Sequence, residues 1–149
     1  MRLWRIASGR YDPLDGEGAR RVGGRWNSPG RPVVYTSAHA SLAVLEKLVW
    51  VDPEDVPDDL LLFEIDLPDD LLVETVRVDQ LPPDWTAPGN PACVGLGDRW
   101  LAAGGSVALM VPSAVLPEES NVLLDPRHPD AARIRLVESR PFAFDVRLL

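Results

Sequence analysis

The sequence contains little cysteine and histidine. Its 149 residues include one cysteine, Cys93, and two histidines, His39 and His128. A single cysteine cannot form an intramolecular disulfide, which excludes a small secreted scaffold held together by disulfides. The two histidines lie far apart, without a second ligand at zinc spacing, so we expect no metal site. Cys93 has no histidine nearby in sequence and is expected to be a small buried residue.

Long apolar runs are also absent. No run reaches the roughly 18 residues that cross a bilayer. The longest runs are interrupted by Glu46 and Lys47, or by Glu64 and Asp66. Residues 1–10 carry three arginines and no long apolar stretch, so no secretory signal is expected. The sequence therefore predicts a cytoplasmic protein that does not bind membranes.

Basic charge is scarce overall but concentrated near the N-terminus. The chain has 15 basic and 23 acidic residues, which gives a net charge of −8. Nucleic-acid binding usually requires a basic surface, so we expect no direct binding of nucleic acid by this chain. Residues 1–35 nevertheless carry seven arginines against three acidic residues. Arginine is suited to bidentate contacts with phosphate or carboxylate, so this segment is a candidate for a local anion site.

The remaining composition is that of a globular protein. Apolar residues make up 46% and charged residues 26%, which excludes a disordered chain or a coiled coil. A chain of this length supports one hydrophobic core, and no internal repeat is present. We therefore expect a single domain over residues 1–149. The phosphate-binding motifs GxGxxG and GxxxxGK[ST] and the zinc motif HExxH are all missing.

Hydrophobic periodicity predicts two helices among several short strands. One helix is expected over 38–51, with Ser37 as its cap, and another over 91–103, starting at a proline and ending at Gly104. Because strands and helices do not alternate regularly, an α+β domain with mixed or mostly antiparallel strands is favoured over a doubly wound sheet. A long glycine-rich loop is expected over 7–31. The expected strands are 3–6, 31–37, 60–67, 72–78, 107–111, 121–124, 134–139 and 142–148.

Glu46 is the most unusual residue of the sequence. The predicted helix around it is apolar on nearly all sides, and at 100° per residue Glu46 falls at the edge of the arc formed by Leu42, Leu45 and Val49. A carboxylate there is either a rim residue paired with an arginine or a desolvated group with a chemical task.

Five further positions are candidates that also have ordinary structural explanations. Tyr35 in its strand is either a core residue or a ligand contact. Arg5, in the first strand, either faces solvent or binds a ligand, and Arg25, in the glycine-rich loop, has the same two alternatives. Ser120 and Asn121 are by themselves typical turn residues.

Five segments in this order resemble one family, the RES-domain toxins of Xre–RES type II toxin–antitoxin systems. The segments are LWRI at Leu3–Ile6, GGRWN at Gly23–Asn27, PVVYTS at Pro32–Ser37, SLAVLEKLV at Ser41–Val49 and PSAVLPEESNVLLDPRHP at Pro112–Pro129. They span almost the whole chain. The combination is specific, whereas GRW or VVY alone would be weak.

The resemblance implies a fold and an activity. RES proteins are similar to ADP-ribosyltransferases of the diphtheria-toxin type, which have a split, sandwich-like core of two small sheets with helices around it. Characterised relatives break down NAD⁺, and at least one branch ADP-ribosylates a protein. The implied partner is an Xre-type antitoxin that covers the active site in a toxin–antitoxin hetero-oligomer and makes the operator contacts. NAD⁺ is then a substrate, and no metal is implied.

The resemblance also assigns roles by motif. Cleavage of the nicotinamide–ribose bond passes through an oxocarbenium-like state, which Glu46 would stabilise near the ribose 2′-OH. Arg5 and Arg25 would hold the pyrophosphate. Tyr35 would stack on nicotinamide or the adjacent ribose. The late serine of the family is matched to Ser120, which would hydrogen-bond a ribose or the carboxamide, with Asn121 beside it.

One departure from related toxins concerns the glutamate. ADP-ribosyltransferase toxins carry the catalytic glutamate on a later strand, whereas Glu46 is early and helical, so Glu64 and Glu74 remain alternatives. Three functions are compatible with the residues: NAD⁺ hydrolysis, ADP-ribosylation of a protein, and a non-enzymatic module whose arginines bind an acidic partner.

Overall fold

Seven strands and three helices make up the fold, in a computed structural model that describes residues 1–149. The helices are α1 (Glu17–Val22), α2 (Ala40–Leu48) and α3 (Pro91–Ala103). The strands are β1 (Arg2–Ser8), β2 (Val34–Ser37), β3 (Leu60–Asp66), β4 (Val73–Thr75), β5 (Ala108–Pro112), β6 (Ser120–Leu124) and β7 (Arg135–Pro141). The helices are too short to cross a membrane.

The strands form one sheet that is nearly divided in two. The strand order is β4-β5-β6-β2-β1-β3-β7, and every neighbouring pair is antiparallel except β4 and β5. At the centre of this order, β1 and β2 share a single register pair, Trp4 with Ser37. By contrast, β1 pairs with β3 along its whole length. The predicted α+β fold with mixed strands is confirmed, and the sheet consists of a four-stranded half and a three-stranded half.

The two halves face each other across a shared core. Leu3 and Phe63 from the three-stranded half belong to the same buried cluster as Val34 and Val122 from the four-stranded half. Since side chains alternate along a strand, the neighbouring residues face outward. This arrangement corresponds to the split sandwich that the resemblance implies.

Helices cover the two outer faces. On the three-stranded half, Ala43 of α2 packs with Ile6 and Leu62. On the four-stranded half, Trp100 of α3 packs with Leu109 and Leu123. Each apolar helix face is therefore buried against a different half of the sheet.

Most predicted elements are present with shifted ends. The helix over 91–103 is confirmed with the same bounds, and the Asn90 side chain accepts the Ala92 N–H at its start. Helix α2 is shorter than 38–51, and its cap is His39. The prediction of Ser37 as cap was wrong, because Ser37 is the last residue of β2, pairs with Asn121 of β6 and donates its hydroxyl to the Asn121 side chain. Strand 72–78 is reduced to Val73–Thr75.

Two predictions about irregular segments were wrong. The expected loop over 7–31 contains α1, a short helix with no buried residue. Its sequence has no apolar periodicity. The helix begins after Gly16, whose left-handed conformation allows close packing on the backbone of Val33, and Ala19 packs against the cluster that contains Trp26. The exposed ion pairs of Glu17 with Arg20 and Arg21 add little. The expected strand over 142–148 is a coil that ends in a 3-10 turn at Val146–Leu148. Its alternating pattern reflects only Phe142 and Phe144, which meet edge to face.

Helix α3 packs very closely on the glycine-rich loop. A Cβ built on Gly97 would lie 1.6 Å from the carbonyl oxygen of Trp26. Trp26 is buried in the same cluster as Trp85 and Cys93. Cys93 is fully buried, as predicted, and its burial raises the pKa of the thiol. Only glycine permits this contact between helix and loop.

We therefore expect Gly97→Ala to lower the free energy of unfolding by about 3 kcal/mol, because the added methyl must displace backbone. Urea unfolding followed by circular dichroism measures the change. Gly95→Ala is a matched control in the same helix, since its Cβ meets only the flexible end of Arg99. That variant should be as stable as the parent or more stable by up to about 1 kcal/mol. Equal effects of the two substitutions would contradict the close contact.

Candidate active site at the seam of the sheet

The Glu46 carboxylate connects the two halves of the fold. Its Oε1 accepts hydrogen bonds from the Ser113 hydroxyl at 2.6 Å and from Asn121 Nδ2 at 2.7 Å. Glu46 lies on α2, which packs on the three-stranded half, whereas Ser113 follows β5 and Asn121 lies in β6. The bonds therefore join a helix of one half to strand ends of the other.

The donors to Glu46 are themselves held in place. The Ser113 oxygen accepts the backbone N–H groups of Val115 and Leu116, which leaves its own proton for Glu46. The Ser37 hydroxyl donates to Asn121 Oδ1 at 2.7 Å, which turns the Asn121 amide N–H toward Glu46. Ser113 is fully buried and Ser37 nearly so.

The second carboxylate oxygen of Glu46 accepts no hydrogen bond. Oε2 has no hydrogen-bond partner and is not among the buried unpartnered atoms. Glu46 also makes no ion pair with an arginine, so the rim pairing considered from the sequence is not what the structure contains. A carboxylate that is fixed through one oxygen and free at the other can act on a ligand.

Arg5 lies at the seam between β1 and β2. Tyr35 pairs with Leu123 on one side, but its carbonyl has no strand partner on the β1 side because the pairing ends at Trp4 and Ser37. Arg5 Nη1 donates to this carbonyl at 2.9 Å. The side chain thus replaces a backbone partner where the two strands separate.

Arg5 has unused donor capacity. Its Nε is buried without a partner, the one such side-chain atom in the structure. Burial lowers the pKa of Arg5, partly offset by the charge of Asp15. Lys47, half-buried on α2, makes no hydrogen bond, and burial together with the charge of Arg5 lowers its pKa. An anion bound near Arg5 would relieve both effects.

Tyr35 anchors the glycine-rich loop. Its hydroxyl donates to Asn27 Oδ1 at 2.6 Å and accepts the Trp26 N–H at 3.1 Å. Gly24 packs against the same hydroxyl so closely that a Cβ there would lie 2.6 Å from it. Burial raises the pKa of Tyr35 well above its usual value of 10. With its hydroxyl occupied, Tyr35 retains only its ring for contact with a ligand.

Arg25 holds a loop that the sequence analysis did not connect to it. Its Nη1 lies within 3.1–3.2 Å of the carbonyl oxygens of Trp85, Thr86 and Ala87. The side chain therefore fixes the turn before α3. Its Nε and Nη2 make no hydrogen bond and stay available.

Ser120 and Ser113 occupy different positions relative to Glu46. Ser120 begins β6, and its carbonyl accepts the Ala38 N–H at 3.1 Å, but its hydroxyl makes no hydrogen bond. The serine that contacts Glu46 is Ser113, which the sequence analysis did not single out. The available signal was its position directly after an apolar strand that ends in proline.

The alternative glutamates lie elsewhere. Glu64 faces Arg2 at 3.5 Å, and Glu74 accepts a hydrogen bond from Ser106 at 2.5 Å. Neither contacts the residues around Glu46. Among all 149 residues, no group of three potential metal ligands is present.

Of the six residues predicted for the site, Glu46 and Asn121 are in direct contact, and Arg5 and Tyr35 are in contact with each other. The outer face of β2 and β6 carries Ser37, Tyr35 and Asn121. Side chains alternate along a strand, and Val34 and Val122 face the shared core on the other side. Arg25 contacts none of these residues directly, since its Nη1 lies at the carbonyl oxygens of Trp85, Thr86 and Ala87. The arrangement offers one oriented carboxylate and two arginines with free donors.

Comparison with known proteins identifies the family of this chain. A family model described as the RES domain matches residues 2–145. "Toxin Res" of Photorhabdus laumondii is 39% identical over 153 residues, which covers 100% of this chain and 97% of that protein. "Toxin Res" of Pseudomonas putida is 41% identical over 150 residues, with 99% of each chain covered.

Two further similarities extend the comparison. The "Prs ADP-ribosylating toxin" of a Sphingobium species is 36% identical over 154 residues and covers 99% of this chain and 96% of that protein. A chain of the crystal structure of the M. tuberculosis MbcT–MbcA toxin–antitoxin complex superposes with a TM-score of 0.78 at 23% identity. It covers 95% of this chain and 83% of that one, which shows a shared fold.

The raised pKa of Tyr35 predicts a pH-dependent contribution to stability. A group whose pKa is higher in the folded protein than in the unfolded chain contributes its full stabilisation at pH values below the unfolded pKa, which is 10 for tyrosine. This contribution is lost as the pH rises from 10 toward the pKa of the folded state. At pH 7, Tyr35→Phe should lower the free energy of unfolding by about 1–3 kcal/mol, because Asn27 and Trp26 lose a buried partner. This difference from the parent should shrink above pH 10.

Urea unfolding of parent and variant between pH 7 and 10.5 measures the difference. Tyr11→Phe is the control, since Tyr11 is 73% exposed and its hydroxyl makes no hydrogen bond. A difference that stays constant or grows above pH 10 would contradict the role of the Tyr35 hydroxyl.

Proposed function

Because the chain belongs to the RES-domain family, we propose that it is the toxin of a toxin–antitoxin module and that it depletes NAD⁺ by hydrolysing the nicotinamide–ribose bond. The observation that carries the proposal is Glu46, whose Oε1 is fixed by Ser113 and Asn121 while Oε2 is free. Similarity to proteins named "Toxin Res" over the full chain supports the toxin role.

The chemistry requires one well-placed negative charge. Nicotinamide leaves as a neutral base, so the departing group needs no strong acid. Positive charge develops on the ribose as the bond breaks, as in glycoside hydrolysis. A preoriented carboxylate stabilises that charge without reorganising during the step. We assign this role to Oε2 of Glu46, near the ribose 2′-OH, and assign Ser113 and Asn121 to its orientation.

The arginines supply the anion site. The buried Nε of Arg5 and the free Nε and Nη2 of Arg25 are donors suited to the two phosphates of NAD⁺. The Tyr35 carbonyl accepts a hydrogen bond from Arg5. We assign the Tyr35 ring to stacking on nicotinamide or the adjacent ribose. The hydrogen bond from Ser120 to a ribose or to the carboxamide stays a prediction.

A second candidate function is ADP-ribosyl transfer to a protein. It is favoured by the similarity to the "Prs ADP-ribosylating toxin", which covers nearly the whole chain. Transfer uses the same carboxylate and arginines, with a protein side chain in place of water as acceptor. The two functions differ only in what attacks the ribose.

The partner proposed for this chain is an Xre-type antitoxin that covers the site in a hetero-oligomer. The shared fold with a chain of a toxin–antitoxin complex supports an antitoxin partner. With a net charge of −8, the chain itself is not suited to DNA, so operator contacts fall to the antitoxin.

Purified chain should convert NAD⁺ to nicotinamide and ADP-ribose, as followed by liquid chromatography and mass spectrometry. Glu46→Gln should lower the rate by about 10²- to 10³-fold, because an amide keeps the shape but not the charge. Arg25→Ala should raise the KM for NAD⁺.

The matched controls are Glu74→Gln and Glu64→Gln, which remove the alternative carboxylates and should keep full activity. Ser113→Ala should lower kcat. Ser120→Ala tests whether the Ser120 hydroxyl contacts NAD⁺. Loss of activity in a control but not in Glu46→Gln would overturn the assignment of Glu46.

Transfer is tested separately, with labelled NAD⁺ in a cell lysate. If a protein acceptor exists, label should appear on one protein band with the parent chain and not with Glu46→Gln. If neither label nor NAD⁺ loss occurs, and Glu46→Gln inhibits growth as strongly as the parent, the chain is a non-enzymatic binding module.

A further inference from the structure

A cavity of about 180 Å³ lies at the other end of β2 and β6 from Glu46. The register pairs Ser37 with Asn121 at the Glu46 end and Val34 with Leu124 at the far end. The cavity lies just beyond this far pair, where residues 31–32 precede β2 and residues 125–129 follow β6. None of its lining residues belongs to the proposed NAD⁺ site.

His128 presents a hydrogen-bond donor at the cavity. Its Nδ1 accepts the backbone N–H of Asp130 at 3.0 Å. A ring nitrogen that accepts carries no proton, so the proton of the neutral ring lies on Nε2. The side chain is only 10% exposed, and Nε2 has no partner in the protein. The ring orientation is therefore fixed by the backbone.

Two arginines with free side chains add positive charge. Arg31 and Arg127 line the cavity, and neither guanidinium makes a hydrogen bond or an ion pair. Both guanidinium groups are therefore free to contact a ligand. Both arginines are exposed, and together with His128 they bring hydrogen-bond donors to the lining of the cavity.

Asp125 is the one acidic group in the lining. It is 7% exposed, and its Oδ1 accepts the Arg127 N–H at 2.9 Å. Its Oδ2 has no partner. A ligand that satisfies the whole lining must therefore offer several acceptor oxygens to the arginines and His128, and one proton to Asp125.

We propose that this cavity binds a phosphate group that still carries one proton, either inorganic phosphate or the end of a phosphate monoester. Its unprotonated oxygens accept from Arg31, Arg127 and Nε2 of His128, and its O–H donates to Oδ2 of Asp125. Sulfate has the same tetrahedral shape and no proton at neutral pH, so Asp125 repels it. The proposal does not depend on NAD⁺ cleavage.

A purely structural reason for the arginines also exists. The last turn of α3 contains no basic residue, and Leu101 and Gly104 of this end line the cavity. Cations near the carbonyl end of a helix stabilise it. If that were the whole role, removing the arginines would lower stability regardless of phosphate.

The test is isothermal titration calorimetry of the full chain at pH 7 with inorganic phosphate and with sulfate at matched ionic strength. We expect phosphate to bind at least about tenfold more tightly than sulfate. Asp125→Asn should remove or reverse this preference, because the amide can donate to sulfate while its oxygen still accepts the Arg127 N–H. Arg31→Ala and Arg127→Ala should each weaken phosphate binding by about tenfold.

Arg140→Ala is the control, since it removes one positive charge from β7 and should leave binding unchanged. Absence of phosphate binding, or equal binding of phosphate and sulfate, overturns the proposal. So does a loss of thermal stability in Arg31→Ala and Arg127→Ala that is the same with and without phosphate.

A second pair of titrations distinguishes the source of the phosphate group. O-phosphoserine, with a second pKa of about 6, carries the required proton at pH 5.5 but not at pH 7.5. Tighter binding of O-phosphoserine than of inorganic phosphate at pH 5.5 identifies a monoester site. Tighter binding of inorganic phosphate at both pH values identifies the free anion.

Discussion

The single pair between β1 and β2 is the constraint on which the site depends. If these strands paired along their length, the Tyr35 carbonyl would be bonded to backbone, and the Arg5 side chain would have no place at the seam. The separation of the strands places a guanidinium between them, with one nitrogen on a carbonyl and Nε buried without a partner. Leaving a buried donor unpaired costs free energy, which is tolerated where a ligand completes the bonding.

The same separation explains why Glu46 needs support from outside its own helix. Helix α2 rests on the three-stranded half, but the groups that orient its carboxylate come from β5 and β6. The glycine-rich loop is tied in a similar way, by the Tyr35 hydroxyl on β2 and by Gly97 on α3. Each functional segment is thus held by an element of a different part of the fold.

Local patterns predicted most of the elements, and the family motifs supplied the candidate residues of the site, which stay predictions. Helix α3 could be predicted to its ends because proline starts it and glycine ends it. Helix α1 could not, since it has no apolar stripe and is held by contacts with distant segments, such as that of Gly16 with the backbone of Val33. Glu46 stood out as a charge in an apolar helix, but nothing local indicated that Ser113, 67 residues away, would bind it. Contacts at such separation depend on the topology of the sheet, which periodicity does not contain.

The long separation between Glu46 and its supporting groups also determines when the site can form during synthesis. Asn121 is 75 residues further along the chain, and β6 must emerge from the ribosome before the carboxylate can be oriented. Domains assemble as their later segments become available, and contacts of large sequence separation form slowly. A nascent chain with Glu46 already exposed therefore lacks a working site. Under the proposed function, this delay gives an antitoxin time to bind before NAD⁺ is cleaved.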